Sequence, residues 1–191
     1  SDHGDQLGSH HRWNKGVVYE ESIRIPQIWR WPKTIRCGQS LNQLTSSIDV
    51  MPSLLEACGI DVPDWVQGKS IFKILNGDME TRENNQVFIE TSSSSKGDQF
   101  SELGIRTSDQ IFSLCLNRES HELVDGFHSL YNLIDDPYQE NDLCKTGCET
   151  KLVEQMRDTL ESWHKETPWL KAPKGGTNRT NRFDSSGFYM E

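Results

Sequence analysis

The sequence holds no run of apolar residues long enough to span a bilayer, which excludes a transmembrane helix. Apolar residues of every kind are scarce, at 34%, so the core is thin for a chain of this length. Positive charge is scarce too: 20 Lys and Arg stand against 29 Asp and Glu, a formal net charge of −9. That balance disfavours nucleic acid, whose binders carry a basic footprint. It leaves an anionic ligand open, because a bound metal or one local cation outweighs distant net charge. The five cysteines, Cys37, Cys58, Cys115, Cys144 and Cys148, include no CxxC pair and no Cys/His zinc spacing. Cys144 and Cys148 are spaced for a small disulfide loop, Cys58 reads as a core residue, and the odd total leaves the redox compartment open. There is neither a signal peptide nor an initiator methionine. The chain opens inside what reads as a strand-to-loop junction, so we expect the back portion of a longer domain.

What the sequence does have is concentrated in residues 1–26. Asp2 offers hard oxygens and His3 a nitrogen, so the adjacent pair is suited to one divalent cation. Neighbours on a regular strand point to opposite faces, so such a pair shares an ion only at a strand end or in a loop, which Gly4 suits. Lys15 is a point charge on a flexible stem, matched to an anionic group held by that metal. His10 lies between them in a glycine-containing stretch.

Further along, residues 23–31 alternate apolar and polar and read as a strand, with Pro26 and Pro32 confining it to an edge. Arg24 on it is expected to form a structural salt bridge. Residues 48–58 read as a helix with Ser47 as N-cap, Pro52 in the first turn and Gly59 as the stop. Ile48, Met51, Leu55 and Cys58 then form a buried face, with Leu54 and Leu55 contributing to the core. Strands are expected at 86–91, 103–107, 110–116 and 128–133, with Thr107–Asp109 as a turn and Ser92–Asp98 as a mobile loop. Short strands joined by short turns make an antiparallel sheet. Residues 149–166 form an amphipathic helix whose stripe is Leu152, Val153, Met156, Leu160 and Trp163. From Pro168 the chain is polar and expected to be a flexible tail. Asn178-Arg179-Thr180 fits a glycosylation sequon, which matters only in a eukaryotic secretory host.

The opening set, Asp2-His3-Gly4 with Leu7-Gly8, His10, Trp13 and Lys15, then Tyr19-Glu20-Glu21-Ser22-Ile23-Arg24-Ile25-Pro26, resembles the sulfatase family of the alkaline phosphatase superfamily. The helix at 48–58, the turn Gln67-Gly68-Lys69-Ser70-Ile71 and the stretch from Leu130 to Leu143 resemble further signatures of that family, so the likeness covers about residues 1–166. It implies an α/β fold: residues 1–80 as the trailing part of a catalytic α/β domain, 84–167 as a C-terminal antiparallel-sheet subdomain with a packed helix bracing it, and 168–191 as the tail. It also implies that Asp2 and His3 ligate a divalent metal, that Lys15 contacts the ester's oxygens, and that Lys15 and His10, the latter near the site, are the catalytic residues within this stretch. The metal implied is Ca²⁺, or Mn²⁺ or Zn²⁺ for a phosphonate or phosphodiester hydrolase of the same superfamily, since histidine at the second position suits a softer ion. The implied partners are a sulfated small molecule or glycan and the N-terminal part of the same enzyme, in an extracytoplasmic setting (periplasmic, secreted or lysosomal).

The family's nucleophile sits in a Cys-x-Pro-Ser-Arg or Ser-x-Pro-x-Arg motif, where Cys or Ser becomes formylglycine. None of the five cysteines has that context, and the family's early Asp pair is absent too. Two ligands do not satisfy a cation that takes six or more oxygens, so the 191 residues alone are expected to be catalytically silent. The competing expectation from another class is a non-catalytic module that binds acidic polymer or buttresses a partner.

Overall fold

The computed structural model describes residues 1–147 and 150–167. Its chain forms two compact units, Ser1–Leu160 and a second beginning at Glu161.

The first unit is organised around a four-stranded antiparallel meander: β1 (Val87–Glu90), β2 (Phe100–Arg106), β3 (Gln110–Asn117) and β4 (Leu123–Asn132), in the order β1-β2-β3-β4. The register pairs Phe88 with Ile105, Leu103 with Leu114 and Phe112 with Leu130. The β2–β3 turn is short, as expected, and Thr107 closes it by donating its N–H to Gln110 O at 2.9 Å. Ile111, Phe112, Leu114, Cys115 and Leu116 are all buried, which is why β3 reads as a continuous apolar run instead of an alternating one. Burial pushes the Cys115 thiol above its ordinary pKa, against the hydrogen bond it shares with Ser94. β4 begins earlier than the pattern at 128–133 suggests. Its first half is partly exposed, and a register irregularity at Leu114/Cys115 separates that half from the buried Leu130 and Tyr131.

α4 spans Thr150–Glu166, with Glu149 outside the described residues. Met156 and Leu160 are its fully buried positions, while Leu152 and Val153 are half-buried. On the same helix Arg157 lies 3.4 Å from His128 Nδ1 of β4. The last turns of α4 belong to the second unit, where Lys165 pairs with Glu161 at 3.9 Å and the Thr167 hydroxyl donates to Trp163 O. The tail and its sequon, like Cys148 and any pairing of it with Cys144, lie outside the described residues.

Two expectations fail in the N-terminal half. Residues 23–31 form no strand. Glu20–Ile23 instead make a single helical turn (α1), and the chain from Arg24 to Trp31 runs without ladder partners among the described residues. Pro26 and Pro32 each remove one ladder donor, and Ile28 is 91% exposed, so the alternation has no core to face. Arg24 does meet a carboxylate, Glu20, at 3.9 Å on the surface, where such a pair is worth little.

The second failure is the burial of the helix at 48–58. The helix forms, as a 3₁₀ turn (Ser47–Asp49) leading into α2 (Val50–Ala57), with Ser46 and not Ser47 making the capping box with Asp49. Most of its apolar stripe is not buried: Ile48, Met51 and Cys58 are exposed and Leu55 is half-buried, Leu54 beside it is exposed, and the buried positions are Pro52 and Ser53. Hydrogen bonds hold the helix instead. Ser53 Oγ donates to Asp49 O at 2.6 Å and accepts at 2.9 Å the N–H of Ile71, which leads into the short helix α3 (Phe72–Leu75). The buried Asp49 accepts Lys69 N–H at 2.8 Å and pairs with Arg82 at 3.0 Å.

Candidate functional site

The opening loop folds back on itself. Gln6 N–H donates to Asn14 O and Gly8 N–H to Arg12 O, each at 2.8 Å. Asp5 fastens the fold by accepting the N–H groups of Leu7 at 2.9 Å and Asn14 at 3.2 Å. The turn is tight enough to force Leu7, His10, His11 and Asn14 to positive φ. Such conformations cost of order 1 kcal/mol or more each and persist only where the surroundings dictate them.

The dictating element is α1. Its Ser22 is buried and reaches both ends of the loop: its carbonyl accepts Gly4 N–H at 2.8 Å, and its hydroxyl accepts Gly16 N–H at 3.2 Å. Glycine is required at both contacts. A Cβ on Gly4 would fall 1.9 Å from Glu21 O, and Gly16 combines φ +94 with a Cβ position 2.5 Å from Ser93 Oγ. One buried serine thus fixes the residue after Asp2-His3 and the residue after Lys15.

At the first end, His3 Nε2 stands 3.7 Å from Asp2 Oδ2, and His3 Nδ1 lies 2.8 Å from Gly4 O. A carbonyl accepts only, so Nδ1 donates there, and in the neutral ring this leaves the Nε2 lone pair to a metal, the arrangement usual for a ligating imidazole. Donors sharing a cation at 2.0–2.6 Å stand about 3–4 Å apart, so the pair fits one ion. The Asp2 carboxyl is held below the usual carboxylate range, first by its own backbone N–H and then by His3, which keeps it ionised. Among the described residues no group of three His, Cys, Asp or Glu is placed to hold a metal. The pair therefore amounts to part of a site.

At the other end, Lys15 is exposed and has no hydrogen-bond or ion-pair partner among the described residues. It lines a cavity of about 190 Å³ with Gln6, Arg12, Trp13, Ser93 and Asp98. His10 lies elsewhere. Its ring stacks on Tyr19 with centroids 3.7 Å apart and planes 6° apart, and its Nε2 faces Glu21 Oε2 at 3.9 Å. Both of those atoms are buried without a hydrogen-bond partner. The structure thus brings Lys15, Arg12 and Gln6 to one cavity, while Asp2, His3 and His10 stand outside it, tied to it through α1.

The sheet and its connecting loops brace this assembly. Gln139 Oε1 accepts Glu20 N–H at 2.7 Å, and Arg106 forms a bidentate pair with Glu20 at 3.2 Å. Glu102, 1% exposed on β2, accepts hydrogen bonds from Ser94, from the backbone and hydroxyl of Ser95, and from Val18 N–H. Ser93 Oγ donates to Gly16 O at 2.7 Å, and Arg12 donates to Ser94 O at 3.0 Å. The serine run expected to be mobile is therefore pinned on both sides. Tyr131, whose buried phenol has its pKa driven upward mainly by desolvation, meets Tyr19 edge-on at 6.2 Å. Sequence reasoning missed Gln6, Arg12, Ser22 and Glu102. Of these only Ser22 carried a signal, as the last residue of Tyr19-Glu20-Glu21-Ser22; a buried glutamate on a strand has none.

Residues 8–166 match the model of the family described as N-sulphoglucosamine sulphohydrolase, C-terminal. Over 81 residues, 42% of the chain, the sequence is 36% identical to an N-acetylglucosamine-6-O-sulfatase of Bacteroides thetaiotaomicron, of which it spans 14%. The fold superposes with a TM-score of 0.66 on BT4656, solved in complex with its substrate D-glucosamine-2-N,6-O-disulfate; identity is 27%, covering 87% of this chain and 33% of that one. It also matches the phosphonate monoester hydrolase of Silicibacter pomeroyi with a TM-score of 0.68, over 97% of this chain and 36% of that one; at 20% identity this likeness is one of fold. The chain thus spans about a third or less of the length of these proteins. No helix among the described residues is long and apolar enough to cross a membrane.

Proposed function

The chain belongs to the sulfatase family whose C-terminal region it matches from residue 8 to 166, and from that premise we propose that it is the part of a sulfuric ester hydrolase carrying half of a metal site and the lysine that receives the sulfate. Asp2 and His3 would hold a divalent cation, Ca²⁺ being the first candidate, together with ligands from outside these residues. A cation held there would supply Lewis-acid polarisation of the sulfate oxygens. Lys15 offsets the charge that builds on the ester oxygens as the bond to the leaving group breaks. His10, stacked on Tyr19 and facing Glu21, supports the loop that presents Lys15. The observation that carries the reading is Ser22, which fixes Gly4 and Gly16 together and so couples the Asp2-His3 pair to Lys15.

Residues 1–80 are in this reading the trailing part of the catalytic α/β domain, and 84–167 the subdomain that braces it. The nucleophile, a formylglycine in this family, comes from outside the 191 residues, which contain no Cys-x-Pro-Ser-Arg motif; alone they are inactive. The substrate is a sulfated glycan or small sulfate ester. Support comes from the relative that acts on N-acetylglucosamine 6-O-sulfate and the neighbour bound to a sulfated glucosamine. The family resemblance points to an extracytoplasmic setting.

Histidine at position 3 favours one second reading, a phosphonate monoester hydrolase with Mn²⁺ or Zn²⁺. Parallel assays of the full-length enzyme on glucosamine 6-sulfate and on a phenylphosphonate monoester separate the two. The first reading predicts faster sulfate release. Faster phosphonate ester hydrolysis, with little sulfate released, selects the second.

A further inference from the structure

The cavity beside Lys15 contains a polar group that has nothing to bond. Gln6 is 3% exposed and lines that cavity, yet both its amide atoms, Oε1 and Nε2, are buried without a hydrogen-bond partner. Its backbone is held by hydrogen bonds with Asn14 and Ser9, and its side chain is packed inside the loop. An orphaned buried donor or acceptor bears its desolvation cost uncompensated, and native structures rarely leave both on one side chain. A cavity of about 190 Å³ is far larger than one bridging water needs.

The chemistry of the missing partner follows from the amide itself. Nε2 donates and Oε1 accepts. A sulfate group only accepts, so it can satisfy Nε2 alone. A sugar hydroxyl both donates and accepts, and so completes the pair. The rest of the lining agrees with a charged sugar. Lys15 and Arg12 supply positive charge for the sulfate, Asp98 an acceptor for a second hydroxyl, and Trp13, 76% exposed, an apolar ring face beside them.

We propose that Gln6 is a specificity-determining residue that reads a hydroxyl of the sugar ring carrying the sulfate ester, with Trp13 packing on that ring. The proposal rests on the sulfatase reading above and deepens it: the site selects sulfated sugars over simple sulfate esters.

The test compares kcat/KM for glucosamine 6-sulfate with kcat/KM for 4-nitrophenyl sulfate, which has no hydroxyl, in the full-length enzyme and its Gln6→Met variant. Loss of one buried hydrogen-bonding pair should lower the sugar-to-aryl ratio by about 10- to 100-fold. Gln6→Glu keeps the size and the acceptor but removes the donor. It carries the same test, with a fall in the same direction, should Gln6→Met not fold. A ratio within twofold of wild type in the variants, whether activity holds or falls equally on both substrates, overturns the assignment and makes Gln6 a structural residue. A wild-type enzyme that hydrolyses neither ester instead refutes the sulfatase reading itself, so the two failures are distinguishable.

Discussion

Gln139 and Glu20 are 119 residues apart, and the side-chain oxygen of the first accepts the backbone N–H of the second at 2.7 Å. Gln139 is buried and holds φ +55 to make the contact. Glu20 opens α1, whose orphan N–H groups need acceptors, and α1 carries the Ser22 that fixes Gly4 and Gly16. A loop following β4 therefore sets the position of the candidate metal pair and of Lys15.

Gln139→Leu is expected to cost about 1–3 kcal/mol, because Glu20 N–H loses its acceptor. Chemical denaturation of the full-length enzyme reads that loss. Turnover should fall by more than metal content, since the change displaces α1 without touching a ligand. Unchanged stability would remove Gln139 from the brace.

Lys15→Ala in the full-length enzyme should lower kcat/KM for a sulfate ester by about 10² to 10³, by analogy with removal of an oxyanion-stabilising donor, and leave the metal bound. Near-wild-type kinetics would make Lys15 a surface residue of the loop. Loss of metal would make it part of the scaffold.

The acid limb of stability should depend on His128. Burial first, then Arg157 and Lys96, lower its pKa below 6.5, and Asp142 opposes them. A histidine whose folded pKa is depressed is protonated first in the unfolded chain. Its penalty is absent at neutral pH, appears as pH falls through 6.5, and levels off below the folded pKa. His128→Gln should flatten the drop in melting temperature across that window. A variant with the wild-type acid slope would show that other groups set it.

The 191 residues on their own expose Ile48, Leu54, Ile60 and Trp65 around α2, a set larger than scattered surface residues explain. The isolated chain should bind a hydrophobic dye and self-associate. A sharp, cooperative melt of a monomer would contradict this.

How much of this was legible in the sequence differs from element to element. β2, β3 and the Thr107–Asp109 turn were, because apolar runs between turn residues leave few alternatives. α4 was, through its period. The alternation at 23–31 misled, because period alone does not say whether a sheet is present to face, and the two prolines each withhold a donor. The stripe on α2 was real as a pattern, but the helix docks through Ser53 and Asp49, and pattern reading assigns polar residues to solvent. For the same reason Glu102 was invisible: its four donors come from Val18, Ser94 and Ser95, and only the fold brings them together. The spacing of Asp2, His3 and Lys15 was readable, whereas the cavity that unites Lys15 with Gln6 and Arg12 needed the loop's backbone.

The central claim is that Asp2 and His3 hold a divalent cation at a sulfatase site. Metal content of the full-length enzyme, measured in wild type, Asp2→Ala and Lys15→Ala beside sulfate release from the same preparations, tests it most directly. The account predicts that Asp2→Ala weakens metal affinity by at least about tenfold and loses turnover with it, while Lys15→Ala keeps its metal. An Asp2→Ala enzyme that retains wild-type metal content would contradict it.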